Sequence, residues 1–271
     1  MKLGLCQMPV TASKTENDTV MRRYVRDAAA AGCDLVALPE MWCCPYNNAA
    51  FVQYAEPQGG ETWRLLRDTA RACGVWLVAG SVPERDGDAI YNTCYVFDPQ
   101  GTQQAKHRKV HLFDIDVQGS QSFRESATLS PGNDVTLFDT PWGRTGLCIC
   151  FDLRFEELCR VLTLRGARMI LAPAAFNMTT GPAHWELLFR QRAVDGQLFT
   201  AGTSPARDET ASYVAWGHSI VCDPWGTVLH QCGAGEQVVV TELDMSRVSA
   251  IREQLPILSA RRTDVYGVRK K

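Results

Sequence analysis

Three polar residues stand just past short apolar runs, and their types together suit attack on an amide. Glu40 ends Leu35-Val36-Ala37-Leu38-Pro39-Glu40, Lys109 ends Lys106-His107-Arg108-Lys109, and Cys150 ends Gly146-Leu147-Cys148-Ile149-Cys150. Taken singly, each reads as ordinary: a solvated turn or cap, a surface charge, a core thiol. Together they form a working set. A thiolate is the nucleophile, yet a free thiol with a pKa of about 8.5 is mostly protonated at neutral pH. A nearby carboxylate can take that proton and later hand it to the departing amine. A nearby ammonium can favour the thiolate and stabilise the oxyanion of a tetrahedral intermediate. The backbone N–H of Phe151 is a second candidate oxyanion donor, as at strand-to-helix elbows generally. This chemistry needs neither a metal nor a histidine.

Residues so distant in sequence meet only if the strands before them end at a common edge, where ligands of α/β sheets bind. The hydrophobic pattern alternates strand and helix. In the first half it predicts strands at 2–8, 35–38, 75–79, 90–97 and 102–106, helices at 17–31 and 61–73, and a hairpin turn at Pro99-Gln100-Gly101. In the second half it predicts strands at 145–150, 169–172, 198–203, 218–221, 227–229 and 238–243. Helices are expected at 155–165 and 182–196, with Pro182 in the first turn, and from an Asp244 cap to about 255. The pattern implies sheets covered by helices, one or two in number. No repeat or linker interrupts it, so residues 1–271 read as a single domain.

Composition excludes several classes. With 45 % hydrophobic and 21 % charged residues, the chain is an ordinary globular one, long enough to bury a substantial core. A net charge of −2 gives no electrostatic reason to expect nucleic acid or an anionic membrane as partner. The basic end Val268-Arg269-Lys270-Lys271 reads as a short solvated tail. The opening Met1–Pro9 run is too short for a signal-peptide core, and no stretch approaches the ~20 apolar residues of a membrane span. A cytoplasmic location with reduced thiols is therefore expected. The adjacent Cys43-Cys44 and the Cys148-x-Cys150 pair lack the spacing of zinc ligands, so the eleven cysteines read mostly as small hydrophobes, with no metal.

Leu38-Pro39-Glu40, His107-Arg108-Lys109-Val110-His111-Leu112 and Cys150-Phe151-Asp152-Leu153-Arg154-Phe155 resemble, in order and separation, the three signature blocks of the nitrilase (carbon–nitrogen hydrolase) superfamily. The resemblance covers nearly the whole chain. It implies an αββα four-layer sandwich and an acyl-enzyme formed by a Glu–Lys–Cys triad. Glu40 would be the general base and acid, Lys109 the oxyanion stabiliser and Cys150 the nucleophile. Glu125, in Phe123-Arg124-Glu125-Ser126, matches a further family glutamate whose implied role is to orient the triad and the substrate amide. Segments 111–117, 176–186, 204–208 and 211–219 resemble the ω-amidase branch, which hydrolyses the terminal amide of 2-oxoglutaramate and 2-oxosuccinamate to the 2-oxo dicarboxylate and ammonia. The runner-up is a sister amidase acting on deaminated glutathione or an N-carbamoyl amine. Outside the enzymes, a binding or redox-sensing protein on the same fold is the alternative.

Phe151 departs from the tyrosine that relatives often carry, and Trp42-Cys43-Cys44 is a second departure that bears on substrate preference. The resemblance implies a loop over the pocket from Phe113 to Glu125, with Gly119 flexible and Glu125 anchoring its far end. Tyr46, Phe151, Phe176 and Thr179 are candidate substrate-binding residues. A 2-oxo dicarboxylate also needs a cation for its far carboxylate. Arg154, four residues past the nucleophile, reads rather as a brace of its helix through a salt bridge, and Arg207 is a weaker candidate. His111 and His218 are expected to hold structure by hydrogen bonds. No cofactor is expected. Family members resemble one another in forming dimers or larger assemblies through the helix-bearing face, and an apolar stretch at 254–258 could contribute to such an interface.

Overall fold

The computed structural model describes residues 1–118 and 122–268, so Gly119 and the basic end from Arg269 onward lie outside the described residues. The first half runs β1 (Lys2–Gln7), α1 (Lys14–Ala30), β2 (Leu35–Ala37), α2 (Asn48–Tyr54), α3 (Glu61–Cys73), β3 (Trp76–Val78), β4 (Val82–Asp86), β5 (Ala89–Phe97) and β6 (Gln103–Arg108). A short ribbon follows, β7 (Asp114–Asp116) with β8 (Ser122–Arg124). The second half runs β9 (Leu137–Thr140), β10 (Gly143–Leu147), α4 (Glu156–Leu164), β11 (Met169–Pro173), α5 (Gly181–Gly196), β12 (Phe199–Thr203), β13 (Ile220–Cys222), β14 (Val228–Gln231), β15 (Gln237–Glu242) and α6 (Ser246–Gln254).

Local chemistry sets these limits. Ser13 and Asn47 accept the N–H of Glu16 and Ala50, capping α1 and α2, and Gly74 ends α3 in the left-handed conformation. Asp244 accepts from both the N–H and the hydroxyl of Ser246, and the last helix starts at Ser246 with Met245 as its cap, one residue later than expected. The strand expected over 145–150 stops at Leu147, because Cys150 opens a 3₁₀ turn. Five elements escaped the sequence pattern: α2, β4, β7, β8 and β9. They are short, and β4 carries Pro83 and three charged residues, which suits an edge strand.

The strands form two large sheets. One has the order β15-β1-β2-β3-β5-β4, with β6 also paired to β5; the other has the order β14-β13-β12-β11-β10-β9. β1, β2 and β3 are parallel, as are β10, β11 and β12, with antiparallel strands outside them. Leu3, Leu5, Leu35, Ala37, Trp76 and Val78 share one buried cluster with Leu147, Leu171, Ala201 and Val221, which packs sheet on sheet. The alternate residues Cys6, Val36 and Leu77 join Met21 and Val25 of α1 and Leu66 and Ala70 of α3. Leu158, Leu162, Trp185 and Phe189 from α4 and α5 cover the second sheet. The architecture is therefore an αββα four-layer sandwich. Strands buried on both faces read as continuous apolar runs, which is why periodicity alone left one sheet or two open.

This arrangement brings the ends of β2, β6 and β10 together. β6 pairs antiparallel to β5, which is antiparallel to β3, so β6 runs the same way as β2 and its last residue leads into Lys109 at the same edge. Gly80 (φ +59°) supports the segment that carries Glu40: a Cβ there would stand 2.2 Å from Pro39 O and 2.9 Å from the Trp42 ring. Left-handed backbone alone costs a non-glycine residue about 1–2 kcal/mol. Gly80→Ala is expected to lower the unfolding free energy by about 2 kcal/mol or more, measured by urea denaturation, and to displace Glu40.

Candidate active site

Glu40, Lys109 and Glu125 meet in the interior, each 1 % exposed or less. Lys109 Nζ lies 2.9 Å from Glu40 Oε1 and 2.9 Å from the Glu125 carboxylate. Two of its three N–H bonds are thus occupied and one is left to point elsewhere. Glu40 Oε1 also accepts the side-chain N–H of Asn92 at 2.8 Å, and Oε2 accepts the N–H of Ala175 at 2.8 Å. The Tyr46 hydroxyl sits 2.5 Å from Glu125 Oε1 and 3.2 Å from Glu40 Oε1, so its single hydrogen goes to the nearer oxygen. Glu125 Oε2 accepts the N–H of Phe113 at 2.7 Å, and the Glu125 N–H returns to Phe113 O at 3.2 Å.

Cys150 closes the group. Its backbone is left-handed (φ +47°), as is that of Met41 just after Glu40 (φ +51°). Non-glycine residues in that region are strained, and such strain gathers where a side chain must be presented in one direction. The thiol is hydrogen-bonded to Glu40 and lies against the N–H of Ala175. The elbow is held by Asp152, which is fully buried and accepts from Ile149 N–H (3.0 Å), Val110 N–H (3.1 Å), His111 N–H (2.8 Å), His111 Nδ1 (2.8 Å) and His107 Nε2 (3.1 Å). His107 and His111 flank Lys109 two residues to either side, so one carboxylate joins the Lys109 segment to the Cys150 turn. Arg192 secures the other side by donating to the carbonyls of Leu153 and Arg154.

Electrostatics follow from burial and pairing. Burial raises the Glu40 pKa and outweighs the opposing pull of Lys109. Burial opposes the Lys109 charge, but Glu125 and Glu40 together hold its pKa above the ordinary lysine value. Burial and the Glu40 charge push the Cys150 thiol well up, against the effect of Lys109. At rest Cys150 is therefore a thiol beside a carboxylate, not a standing thiolate. Burial would raise Asp152, yet the two histidine hydrogen bonds hold it well below the usual carboxylate range. A carboxylate beside a thiol can take its proton and pass it to a departing nitrogen, and an ammonium with one N–H unused can donate to developing negative charge.

The expected surroundings are only partly as read. Tyr46 is in the site, but its hydroxyl serves the two glutamates, and its ring stacks on Tyr213 at 4.4 Å. Phe176 packs edge-on to Trp185, Phe151 packs edge-on to Phe113 and Phe155, and the Arg154 guanidinium lies over both rings, at 4.7 and 5.7 Å. The salt bridge expected of Arg154 is not formed: among the described residues no carboxylate is within ion-pair distance of it, and its Nη1 meets His184 Nδ1 at 3.1 Å. The turn after Cys150 is braced by Asp152 and Arg192 instead. Arg207 is turned elsewhere, to Trp216 O and Glu209. Thr179 is exposed in the turn before α5, where its N–H donates to Asn177 Oδ1. His111 and His218 do hold structure, through Asp152 and Cys232 O.

A cavity of about 460 Å³ reaches Glu40 from the surface, walled by Met41, Cys44, Tyr46, Ala175, Ala206 and Tyr213. Asn92, Tyr213 and the Ala175 N–H are the participants that sequence reasoning missed. Tyr213 stood within a segment already singled out, whereas a strand asparagine and a backbone amide give no sequence signal. Across the described residues no group of three or more His, Cys, Asp or Glu side chains is placed to hold a metal ion, and no helix is long and apolar enough to cross a membrane.

Fold and site together define an enzyme that cleaves carbon–nitrogen bonds, and the chain belongs to the carbon–nitrogen hydrolase family, whose model matches residues 2–253. It is 48 % identical to the human protein named omega-amidase NIT2 over all of this chain and 98 % of that one. It is 49 % identical to the zebrafish (Danio rerio) protein of the same name, over 98 % of this chain and 96 % of its relative. The crystal structure of Saccharomyces cerevisiae Nit3, a member of branch 10 of the nitrilase superfamily, superposes with a TM-score of 0.89 at 37 % identity, covering 97 % of this chain and 96 % of the other.

Asp152 also sets a pH dependence. Its folded pKa is depressed, so its stabilisation is present above the unfolded value of about 3.9 and is lost as pH falls below it. Asp152→Asn is expected to lower Tm markedly at pH 7. The wild-type advantage over this variant should shrink between pH 5 and pH 3, followed by calorimetry.

Proposed function

We propose that this chain is an ω-amidase, hydrolysing the terminal amide of 2-oxo dicarboxylic monoamides such as 2-oxoglutaramate and 2-oxosuccinamate. The relatives named above support the reaction. The observation that carries the substrate class is Arg154, a half-buried guanidinium that no carboxylate of the described residues neutralises and that interacts electrostatically with Cys150. A cation so placed is completed by an anionic group on the substrate, distal to the amide.

In this reading the Cys150 sulfur attacks the amide carbon as its proton passes to Glu40. Lys109 and the Phe151 N–H hold the oxyanion. The C–N bond then breaks, Glu40 returns the proton to nitrogen, and ammonia leaves. Water deprotonated by Glu40 attacks the thioester, and C–S cleavage frees the acid and restores the thiol. Glu125 and Tyr46 keep Lys109 and Glu40 in place, Phe151 and Phe176 wall the acyl group beside Arg154, and Thr179 lines the outer edge. The whole 1–271 chain acts as one catalytic unit.

The exposed apolar residues Leu187, Val194 and Trp225, on and beside α5, support association of copies of the chain through this helix-bearing face into a dimer or larger assembly. Eleven unpaired cysteines support a reducing, cytoplasmic setting.

Ammonia release from 2-oxoglutaramate by the purified protein is expected and should vanish in Cys150→Ala with the fold intact. Turnover of deaminated glutathione alone would keep the chemistry and move the substrate. Arg154→Gln should raise KM for 2-oxoglutaramate about 10- to 100-fold, the worth of one charge-assisted contact, and leave a neutral short-chain amide almost unaffected. Equal losses on both substrates would remove Arg154 from carboxylate binding.

A further inference from the structure

Asn92 lies on β5, fully buried, between the segments that carry Glu40 and Lys109. Its side-chain N–H donates to Glu40 Oε1 at 2.8 Å, and its main-chain carbonyl accepts the Lys109 N–H at 2.8 Å. One residue therefore holds the Glu40 carboxylate by its side chain and the main-chain N–H of Lys109 by its own carbonyl. The Oδ1 of the same amide is buried with no hydrogen-bond partner among the described residues. A buried acceptor left unmade is costly, about 1–3 kcal/mol. Turning the amide over would not help, since Oδ1 would then face a carboxylate oxygen. The orientation is set by negative charge on Glu40, at the expense of the amide's own satisfaction.

We infer that Asn92 is a positioning residue for the general base. With Lys109 it occupies Glu40 Oε1, so that Oε2 is the oxygen that exchanges the proton with Cys150, and it keeps Glu40 ionised at rest. The inference rests on the reading of Glu40 as the base for Cys150. The other titratable groups facing Glu40 are Lys109, Glu125, Tyr46, Cys150 and Tyr213. None is removed by a change at Asn92, so the donor's own effect can be isolated. A hydrogen bond to the charged form lowers a carboxyl pKa, so its loss raises that pKa. Glu40 would then be protonated at a pH where it is now ionised, and the low-pH limb of thiol reactivity would move upward.

The test is the rate of Cys150 alkylation by iodoacetamide across pH 4–8, read by peptide mapping on the full chain, with kcat/KM for 2-oxoglutaramate alongside. Asn92→Ala is expected to move the low-pH limb of alkylation up by about one unit, so that alkylation slows by up to about tenfold on the acid side of the wild-type limb and little above it. Asn92→Gln, which keeps the amide donor, should fall between Ala and wild type. A folded Asn92→Ala protein with reduced rates and an unmoved limb, or equal shifts in the two variants, would overturn the inference by reducing Asn92 to a structural role. If the alanine variant does not fold, Asn92→Ser replaces it, with the same shift expected and the same unmoved limb overturning it. Glu40→Gln separates the underlying reading: a limb that persists there shows that Glu40 is not the group titrating. Alkylation needs no substrate, so silence on 2-oxoglutaramate would revise the substrate class and leave the Asn92 result readable.

Discussion

The rest of the structure depends on one buried ammonium held between two buried carboxylates. Lys109, Glu40 and Glu125 are removed from water together, and charges in such a place are tolerated only when their geometry and further hydrogen bonds are good. That condition explains the density of donors around them: Asn92 and Ala175 on Glu40, Tyr46 and Phe113 on Glu125. It also explains the thiol. Two carboxylates facing one ammonium leave excess negative charge, and Cys150 enters it as a neutral group. Deprotonation of sulfur is therefore tied to a proton acceptor and to the arrival of an electrophile.

Asp152 does for the backbone what Lys109 does for the side chains. Glu40, Lys109 and Cys150 belong to three separate chain segments, and sheet pairing alone fixes their ends only loosely. A single carboxylate with five donors from the Lys109 and Cys150 segments removes that freedom. The left-handed backbone at Cys150 and Met41 shows where the fold yields to the site.

Much of this was legible in the residues. Long periodic helices such as Glu61–Cys73 and apolar strands such as Leu35–Ala37 stand within a few residues of where the pattern places them. Glu40, Lys109, Glu125 and Cys150 do come together. What stayed hidden was contact chemistry between distant segments. A pattern of types cannot tell that a tyrosine hydroxyl will stand between two glutamates, or that a guanidinium in a signature block has no acidic partner among the described residues. The ribbon of β7 and β8 escaped because each strand is three residues with a single apolar one, Ile115 or Phe123, too short for alternation to show as a period.

The reciprocal pairing of Phe113 with Glu125 has a mechanical meaning. The root of the ribbon is tied to the same carboxylate that balances Lys109, so it cannot shift without loosening the ammonium's counter-ion. One carboxylate thus serves both as the root of the ribbon and as counter-ion to the ammonium. A slip of one residue at that root would break the pairing.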